Sequence, residues 1–424
     1  MNIEKIYELY KASKGVNTDT RSIQAGQIFF ALQGPNFDAN AFAEKALQAG
    51  AAYAVINDAA YAKDERYIVV KDSLETLQAL AKYHRQQFKI PFIAITGSNG
   101  KTTTKELLFA VLSKKYRTYC TQGNFNNHIG IPLTLLQIQP GTEMAIIEMG
   151  ANHRFEIEQL CAIAQPDYGF ITNIGKAHLE GFGGEIGVAR GKTELYYYLY
   201  KNNGKAFINM NEEKTMYYSR HLECIYFSSA ENEYRIASPI SFSPKTEFEL
   251  SGIKHISVLS GEYNFNNILA AIAMGNYFGI DAEKTGEAIA SYIPGNMRHQ
   301  WVDWNSNKVL LDAYNANPDS MYHALKNFDE LESKHTIVVL GDMFELGNDA
   351  KDEHQVIINA IGDYDFEQAL VCGEFFSAAT ALNSVKVFKT FDELKDYFDK
   401  QNFKEKTILI KGSRGMKMER LIDN

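Results

Sequence analysis

The sequence predicts an α/β protein of three domains. The central domain is expected to be a parallel sheet around a phosphate loop, and the last domain to be Rossmann-like. Three observations carry this. The chain has 424 residues, more than a single hydrophobic core usually organises. Short apolar runs of the kind buried in parallel sheets alternate with stretches of helical spacing. One such run leads directly into AITGSNGKTTTKELL, residues 94–108, a glycine-rich turn ending in Gly-Lys-Thr.

The elements follow in order. The chain opens with a helix, then GQIFFALQG as a strand, then NAFAEKALQAGAAYAVI as a helix running into a strand. RYIVV supplies another strand, and SLETLQALAKYHRQQF spaces Leu74, Leu77, Leu80 and Tyr83 as a helix does. IPFIAIT, EMAIIEMG and YGFITNI read as buried strands, the last two ending in polar residues. From about residue 300 the pattern restarts with KVLLDAY, HTIVVLGDM, QALVCG, VKVF and TILIKGS. The resulting boundaries are 1–89, 90–298 and 299–424. Sites in such folds lie at the carboxyl ends of the strands.

Composition narrows the function. The chain is 45% hydrophobic and 22% charged, ordinary for a folded protein, and its net charge of −9 argues against a groove for duplex nucleic acid. The N-terminus lacks the apolar core of a signal peptide, and no run reaches the length of a membrane span. Cys120, Cys161, Cys224 and Cys372 are scattered, without a C-x-x-C pair, and read as reduced. A cytoplasmic protein without membrane insertion is expected.

The 94–108 stretch departs from G-x-x-x-x-G-K-[ST], because Ile95 stands at the first glycine position and Gly97 comes three before Gly100. The alternative to a phosphate loop is a Gly-Asn turn with a solvated lysine. Strand, loop and helix in succession favour the phosphate loop. The backbone N–H groups from Gly97 through Ser98, Asn99 and Gly100 to Thr102, with the helix start at Thr102 and Thr103, make an anion cradle. Lys101 then reaches phosphate oxygens and the Thr102 hydroxyl can ligate Mg²⁺.

Other strand ends offer partners. Glu148 follows AIIEMG and is either a solvated carboxylate or a ligand to a hard cation. His178 follows FITNIG, where a structural role is the alternative. Lys192, at the start of an aromatic stretch, is best read from spacing alone as a solvated cation, and Tyr196–Tyr198 as packing. Asn264 and Asn267 sit at i, i+3 on one helix, suited to the edge of an adenine, though Asn264 could instead cap that helix. Arg298 suits a γ-phosphate, and Asp312, after another strand, suits ribose hydroxyls.

Taken together, DTR…GQIFFALQGPNFDANAF, TGSNGKTT, GNFNNHIGIPLTLL, EMGANH, NIGKAHLEGFGG, YNFNNILAA, DAYNANPDSM, LGDMFELG and KGSRGMKMERLI make the chain resemble the Mur ligase family. The resemblance spans essentially the whole chain. The phosphate loop and NIGKAH mark a superfamily shared with folylpolyglutamate synthetases. DAYNANPxSM and LGDMxELG resemble the member that joins D-alanyl-D-alanine to UDP-N-acetylmuramoyl-tripeptide in peptidoglycan synthesis. Two departures stand out: Asn40 replaces a common His, and His299–Gln300 follow Arg298 in place of Met-Glu.

The resemblance implies an ADP-forming amide ligase with ATP and two Mg²⁺ ions, acting as a monomer. It implies that the N-terminal domain binds the UDP-sugar peptide and that the C-terminal domain closes over ATP. Lys101 and Thr102 would hold phosphates and the first Mg²⁺, with Glu148 and His178 at the second. Lys192 matches the lysine carbamylated in the superfamily, which reverses the solvated reading. Asn264 and Asn267 would contact adenine, Arg298 the γ-phosphate and Asp312 the ribose. Thr20, Arg21, Asn126 and Asn127 would bind the UDP-sugar end, and Asn315, Asn317 and Ser320 the dipeptide. Rival readings are another ligase of the superfamily and a phosphate-loop regulatory ATPase.

Overall fold

The computed structural model describes residues 2–422. Three domains succeed one another, each built on a sheet that is wholly or mostly parallel. The first carries the strands Val16–Asn17, Ile28–Phe30, Tyr53–Ile56 and Tyr67–Val69 side by side, all parallel. Its last helix, Ser73–Arg85, begins where the Asp72 carboxylate accepts the Glu75 N–H, and it buries Leu77, Leu80, Ala81 and His84. Leu74 and Tyr83, expected on the same stripe, are only partly covered.

That helix fastens the first domain to the second. Arg85 donates to the carbonyls of Ala164 and Gln165 and to Asp167, while its guanidinium lies 3.6 Å from the Phe92 ring centroid. From the opening helix, Tyr10 donates to the Leu136 carbonyl. One continuous apolar core therefore runs from Ile6 through the central domain to the last.

The central sheet has the order Glu223–Phe227, Lys205–Asn209, Tyr168–Ile171, Phe92–Thr96, Met144–Glu148, Thr118–Cys120. All pairs are parallel. Phe92–Thr96 and Met144–Glu148 are buried at every position, as strands covered on both faces must be. The chain leaves Phe92–Thr96 toward one edge and leaves its neighbour Tyr168–Ile171 toward the other. The crevice at the carboxyl ends of these two strands is the switch point where α/β sheets bind ligands.

Three strands of the parallel sheet (Thr118–Cys120, Lys205–Asn209 and Glu223–Phe227) were not anticipated, nor was the small antiparallel sheet Ser238–Ser241, Thr246–Leu250, Ile253–Ser257. The last domain has the order Gln300–Trp304, Asn307–Asp312, Thr407–Lys411, Thr336–Gly341, Gln368–Cys372, Val385–Phe388. Only the first pair is antiparallel. Gln300–Trp304, also unanticipated, is a half-exposed edge. Among the described residues no helix is long and apolar enough to cross a membrane, and the four cysteines are unpaired.

Candidate active site

The phosphate loop sits at the switch point, and its shape requires glycine twice. Gly97 has φ +141°, and a Cβ there would stand 1.9 Å from the Thr172 hydroxyl. Gly100 has φ +82°, and its Cβ would meet the Asn267 side-chain oxygen at 2.4 Å. The loop is stitched to the turn after the neighbouring strand. Ser98 N donates to the Asn173 carbonyl (3.0 Å), Asn99 N to the Asn173 side chain (3.0 Å), and Ser98 Oγ to the Gly175 carbonyl (3.0 Å). The helix then starts at Lys101, one residue earlier than expected, with Gly100 as its cap.

Lys101 folds back on its own loop, donating to the carbonyls of Gly97 (2.8 Å) and Ser98 (3.0 Å). Burial lowers its pKa to about 8, the Arg298 charge adds to the shift, and Glu148 opposes it.

Glu148 is 1% exposed and lies in register with Ile95, at the end of the strand beside the loop. One of its oxygens accepts from the Asn126 amide (2.8 Å). The other is buried with no hydrogen-bond partner, 3.5 Å from the Lys105 ammonium. A buried, half-satisfied carboxylate beside the Thr102 hydroxyl's loop is a donor set that fits a hard cation. Among the described residues no group of three or more His, Cys, Asp or Glu side chains is gathered closely enough to hold a metal alone.

His178 has φ +54° and turns its Nδ1 against the Glu345 carboxylate of the last domain, 2.5 Å away. The solvated reading of Lys192 fails. It is the final residue of the helix Glu185–Lys192, wholly buried, with Nζ donating to the Ala151 carbonyl (3.1 Å) and 4.9 Å from the Phe182 ring centroid. Burial, with Lys101 adding to it, pushes its pKa well below the usual lysine value. Of the tyrosines that follow, Tyr196 is buried as expected but Tyr197 is exposed.

A cleft of about 1220 Å³ opens between the central and last domains. It is lined by Ser98–Thr103, Asn126, Asn127, Glu148, His178, Asn264, Asn267, Arg298, Asp312, Asn315, Asn317 and Ser320. Asn264 does not cap its helix, because that place belongs to Gly261. Instead its amide donates to the Ser260 carbonyl (2.8 Å), Asn267 donates to Asn264 (3.3 Å), and Thr104 donates to Asn267 (3.1 Å). The Arg298 guanidinium stacks 3.5 Å from the Tyr314 ring centroid. Asp312 pairs with Lys411, its register partner on the adjacent strand.

The last domain is docked onto the loop. Asn317 caps the helix Pro318–Asp329 in a capping box with Ser320, and its amide also donates to Asn99 (2.8 Å). Asp319 accepts the Lys176 N–H (2.6 Å), and Lys176 pairs with Glu353. Asn127 caps the turn into Gly130–Leu135. Thr20 and Arg21 lie outside the cleft, and Arg21 is exposed and paired with Asp19.

Among the acids that sequence reasoning missed, two stand out. Glu212, on the cleft wall after Lys205–Asn209, has its carboxyl pushed up to about 7 by burial. Recognising that strand would have pointed to it. Glu345 is the other, and nothing short of the docked domains reveals its partner.

Comparison with known proteins agrees along the chain. The Mur ligase family catalytic domain matches residues 13–85, the Mur ligase middle domain 95–275, and the Mur ligase glutamate ligase domain 297–414. The chain is similar to the UDP-N-acetylmuramoyl-tripeptide–D-alanyl-D-alanine ligases of Bacillus subtilis (strain 168) and Escherichia coli (strain K12). The first is 36% and the second 34% identical, each over 96% of this chain and 92% of the relative. A crystal structure of MurF from Acinetobacter baumannii superposes with a TM-score of 0.86 at 28% identity, covering 98% of this chain and 96% of that one.

Proposed function

This chain belongs to the Mur ligase family, and from that premise we infer that it joins D-alanyl-D-alanine to UDP-N-acetylmuramoyl-tripeptide, forming ADP and phosphate. The observation that carries this is the cleft itself. A phosphate loop on one wall faces, on the other, the DAYNANPDSM segment that the last domain brings against it. We place the domain boundaries near residues 89 and 298, and the enzyme in the cytoplasm as a monomer.

A carboxylate is a poor electrophile, so the terminal carboxylate of the tripeptide first attacks the γ-phosphorus of ATP, and ADP leaves. The neutral amine of the dipeptide attacks the acyl carbon of the resulting acyl phosphate, the C–O bond to phosphate breaks as the C–N bond forms, and phosphate leaves while the new amide nitrogen sheds one proton. Lys101, released from its loop carbonyls, and Arg298 meet the phosphate charge as anion approaches anion. No nucleophilic side chain is needed. The contacts at Asn99–Asn317 and Lys176–Asp319 keep the domains closed, which shields the acyl phosphate from water.

Thr102, Glu148 and His178 would hold Mg²⁺, which supplies charge neutralisation between phosphates and carboxylate. The buried Glu148 oxygen that lacks a hydrogen-bond partner supports this reading. Lys192 is suited to carbamylation: burial favours the neutral amine, whose nitrogen adds to the carbon of CO₂ and loses a proton, giving an anionic oxygen donor. Asn264 and Asn267 would face adenine, Asp312 the ribose, and Asn315, Asn317 and Ser320 the dipeptide. Thr20, Arg21, Asn126 and Asn127 would serve the UDP-sugar end.

The test is ADP release from ATP with UDP-N-acetylmuramoyl-tripeptide, with and without D-alanyl-D-alanine. Turnover is expected only with both, with one dipeptide added to the product mass. Rapid ADP release from ATP alone, indifferent to either acceptor, would overturn the ligase.

A further inference from the structure

The contact between His178 and Glu345 joins two domains through two residues whose backbones are both in the left-handed region. The torsion φ is +54° at His178 and +64° at Glu345. Side-chain-bearing residues adopt that region only when their surroundings hold them there, and such positions gather at working sites. The surroundings of Glu345 do hold it. Within its turn, Asp342 accepts the N–H groups of Phe375 (2.9 Å) and Phe376 (3.0 Å), Met343 N donates to His354 (3.0 Å), and Phe344 N donates to Ser413 (2.8 Å). The Glu345 carbonyl accepts the Glu180 N–H at 3.1 Å, two residues past His178. Gly347 completes the fit, since a Cβ there would stand 3.2 Å from that of Glu180.

A rigid turn thus delivers one carboxylate oxygen to within 2.5 Å of His178 Nδ1, an atom with no access to solvent. Nδ1 makes no hydrogen bond of good geometry here, yet two lone pairs at that separation would repel, so a hydrogen on Nδ1 facing the carboxylate is the arrangement that relieves the contact. Nδ1 therefore carries hydrogen, and Nε2 is the nitrogen left to face a cation. A carboxylate behind an imidazole fixes both its ring orientation and its tautomer, and so raises its strength as a ligand.

We propose that Glu345 is a positioning residue that orients His178 for metal binding, and does so only when the last domain is seated on the central one. This rests on the reading of His178 as a metal ligand. Metal affinity and domain closure are then linked through one side chain, with no contact between Glu345 and substrate.

The test measures Mn²⁺ binding by electron paramagnetic resonance on the full chain with a non-hydrolysable ATP analogue, alongside steady-state kinetics. Glu345→Ala should weaken one Mn²⁺ site and lower kcat, each by about 10–100-fold. The KM values for ATP and dipeptide should stay within about twofold. Glu345→Gln, which keeps an acceptor oxygen, should recover part of both losses. Glu345→Gly, which relieves the left-handed backbone, should melt no lower than the parent yet bind Mn²⁺ as weakly as Glu345→Ala. His178→Ala is run beside them, and the double variant should lose no more than His178→Ala alone. Wild-type Mn²⁺ affinity in Glu345→Ala, with a loss in His178→Ala, would overturn the positioning role only. Unchanged affinity in His178→Ala would remove the ligand reading and this proposal with it.

Discussion

The two ends of the proposed substrate path are built differently. In the cleft, Lys101, Glu148, Asn264 and Asn267 are tied into the loop, the strand ends and one another, and Lys192 lies wholly buried outside the cleft lining, on the Ala151 carbonyl; Glu148 and both asparagines are buried too. In the N-terminal domain, Thr20 and Arg21 stand outside the cleft, and among the described residues Arg21 is held only by its neighbour Asp19. Chemistry that must stabilise developing charge needs donors fixed before the reaction, whereas recognition of a distant handle can be met by side chains that order on contact. The cleft should therefore govern kcat, and the N-terminal residues only binding.

Lys101→Ala gives the largest expected effect. The cation of the phosphate loop is removed together with the cost of burying its charge, so kcat should fall by about 10²–10³-fold with a melting temperature no lower than the parent's. Near-normal kcat would mean that the cleft is not the reaction centre, and the comparison would collapse.

Lys192→Ala should reduce kcat by about 10²-fold if a carbamate there supports the metal, while ATP still binds through the loop. Formate or acetate should restore part of the rate by filling the vacated place with a carboxylate. A fully active variant would sink the carbamate and leave the ligase assignment standing.

The loop lysine also sets a pH signature. The phosphate needs charged Lys101, so kcat/KM for ATP, which reports the free enzyme, should fall about tenfold per unit as pH rises above about 8. Stability runs the other way. The folded chain holds this proton less tightly than the unfolded chain, so a penalty is fully present below about 8 and fades as pH rises toward 10.5. The stability advantage of Lys101→Met over the parent should shrink across that window, as read by denaturant unfolding. A pH-independent gap would place the titration elsewhere.

What was legible in the sequence follows from what is local. Gly97, Gly100, Lys101 and Thr102 belong to one turn between a strand and a helix, and their spacing alone determines the cradle. The buried runs FIAIT and MAIIE announced themselves by composition. The antiparallel strand Thr246–Leu250 was equally legible, since its alternate burial over five residues is the pattern of a half-buried strand, yet it was passed over. Lys192 read as solvated because its burial comes from Ala151 and Phe182, remote in sequence. The links Asn99–Asn317, Lys176–Asp319 and His178–Glu345 exist only once whole domains dock.

Asn267→Ala probes the cleft at a smaller scale. Its amide joins Thr104 and Asn264, so losing both partners should cost about 1–3 kcal/mol of stability and raise the KM for ATP about 5–10-fold. Comparing ATP with ITP separates two roles. A reader of adenine loses its preference for ATP on substitution, whereas a residue that only shapes Gly100 raises both KM values together.

The smallest effect is expected at Arg21, and it sharpens the contrast most directly. Arg21 makes its hydrogen bonds to Asp19, and the Arg21 guanidinium beside it lowers the Asp19 carboxyl to about 2. Arg21 is exposed, and among the described residues its hydrogen bonds and ion pair go only to Asp19, so Arg21→Ala should leave the melting temperature unchanged. If Arg21 meets the UDP end, it must leave Asp19 to do so, and only the difference between the two partners appears as affinity. The KM for the nucleotide-linked tripeptide should therefore rise only about two- to fivefold, with kcat and the KM for ATP unaltered, and the rise should diminish at high salt. Asp19→Ala should move that KM the other way, because it frees the guanidinium in advance. A fall in kcat in either variant would mean that the N-terminal domain takes part in positioning the reacting carboxylate, and that the two ends of the path are not as separate as their construction indicates.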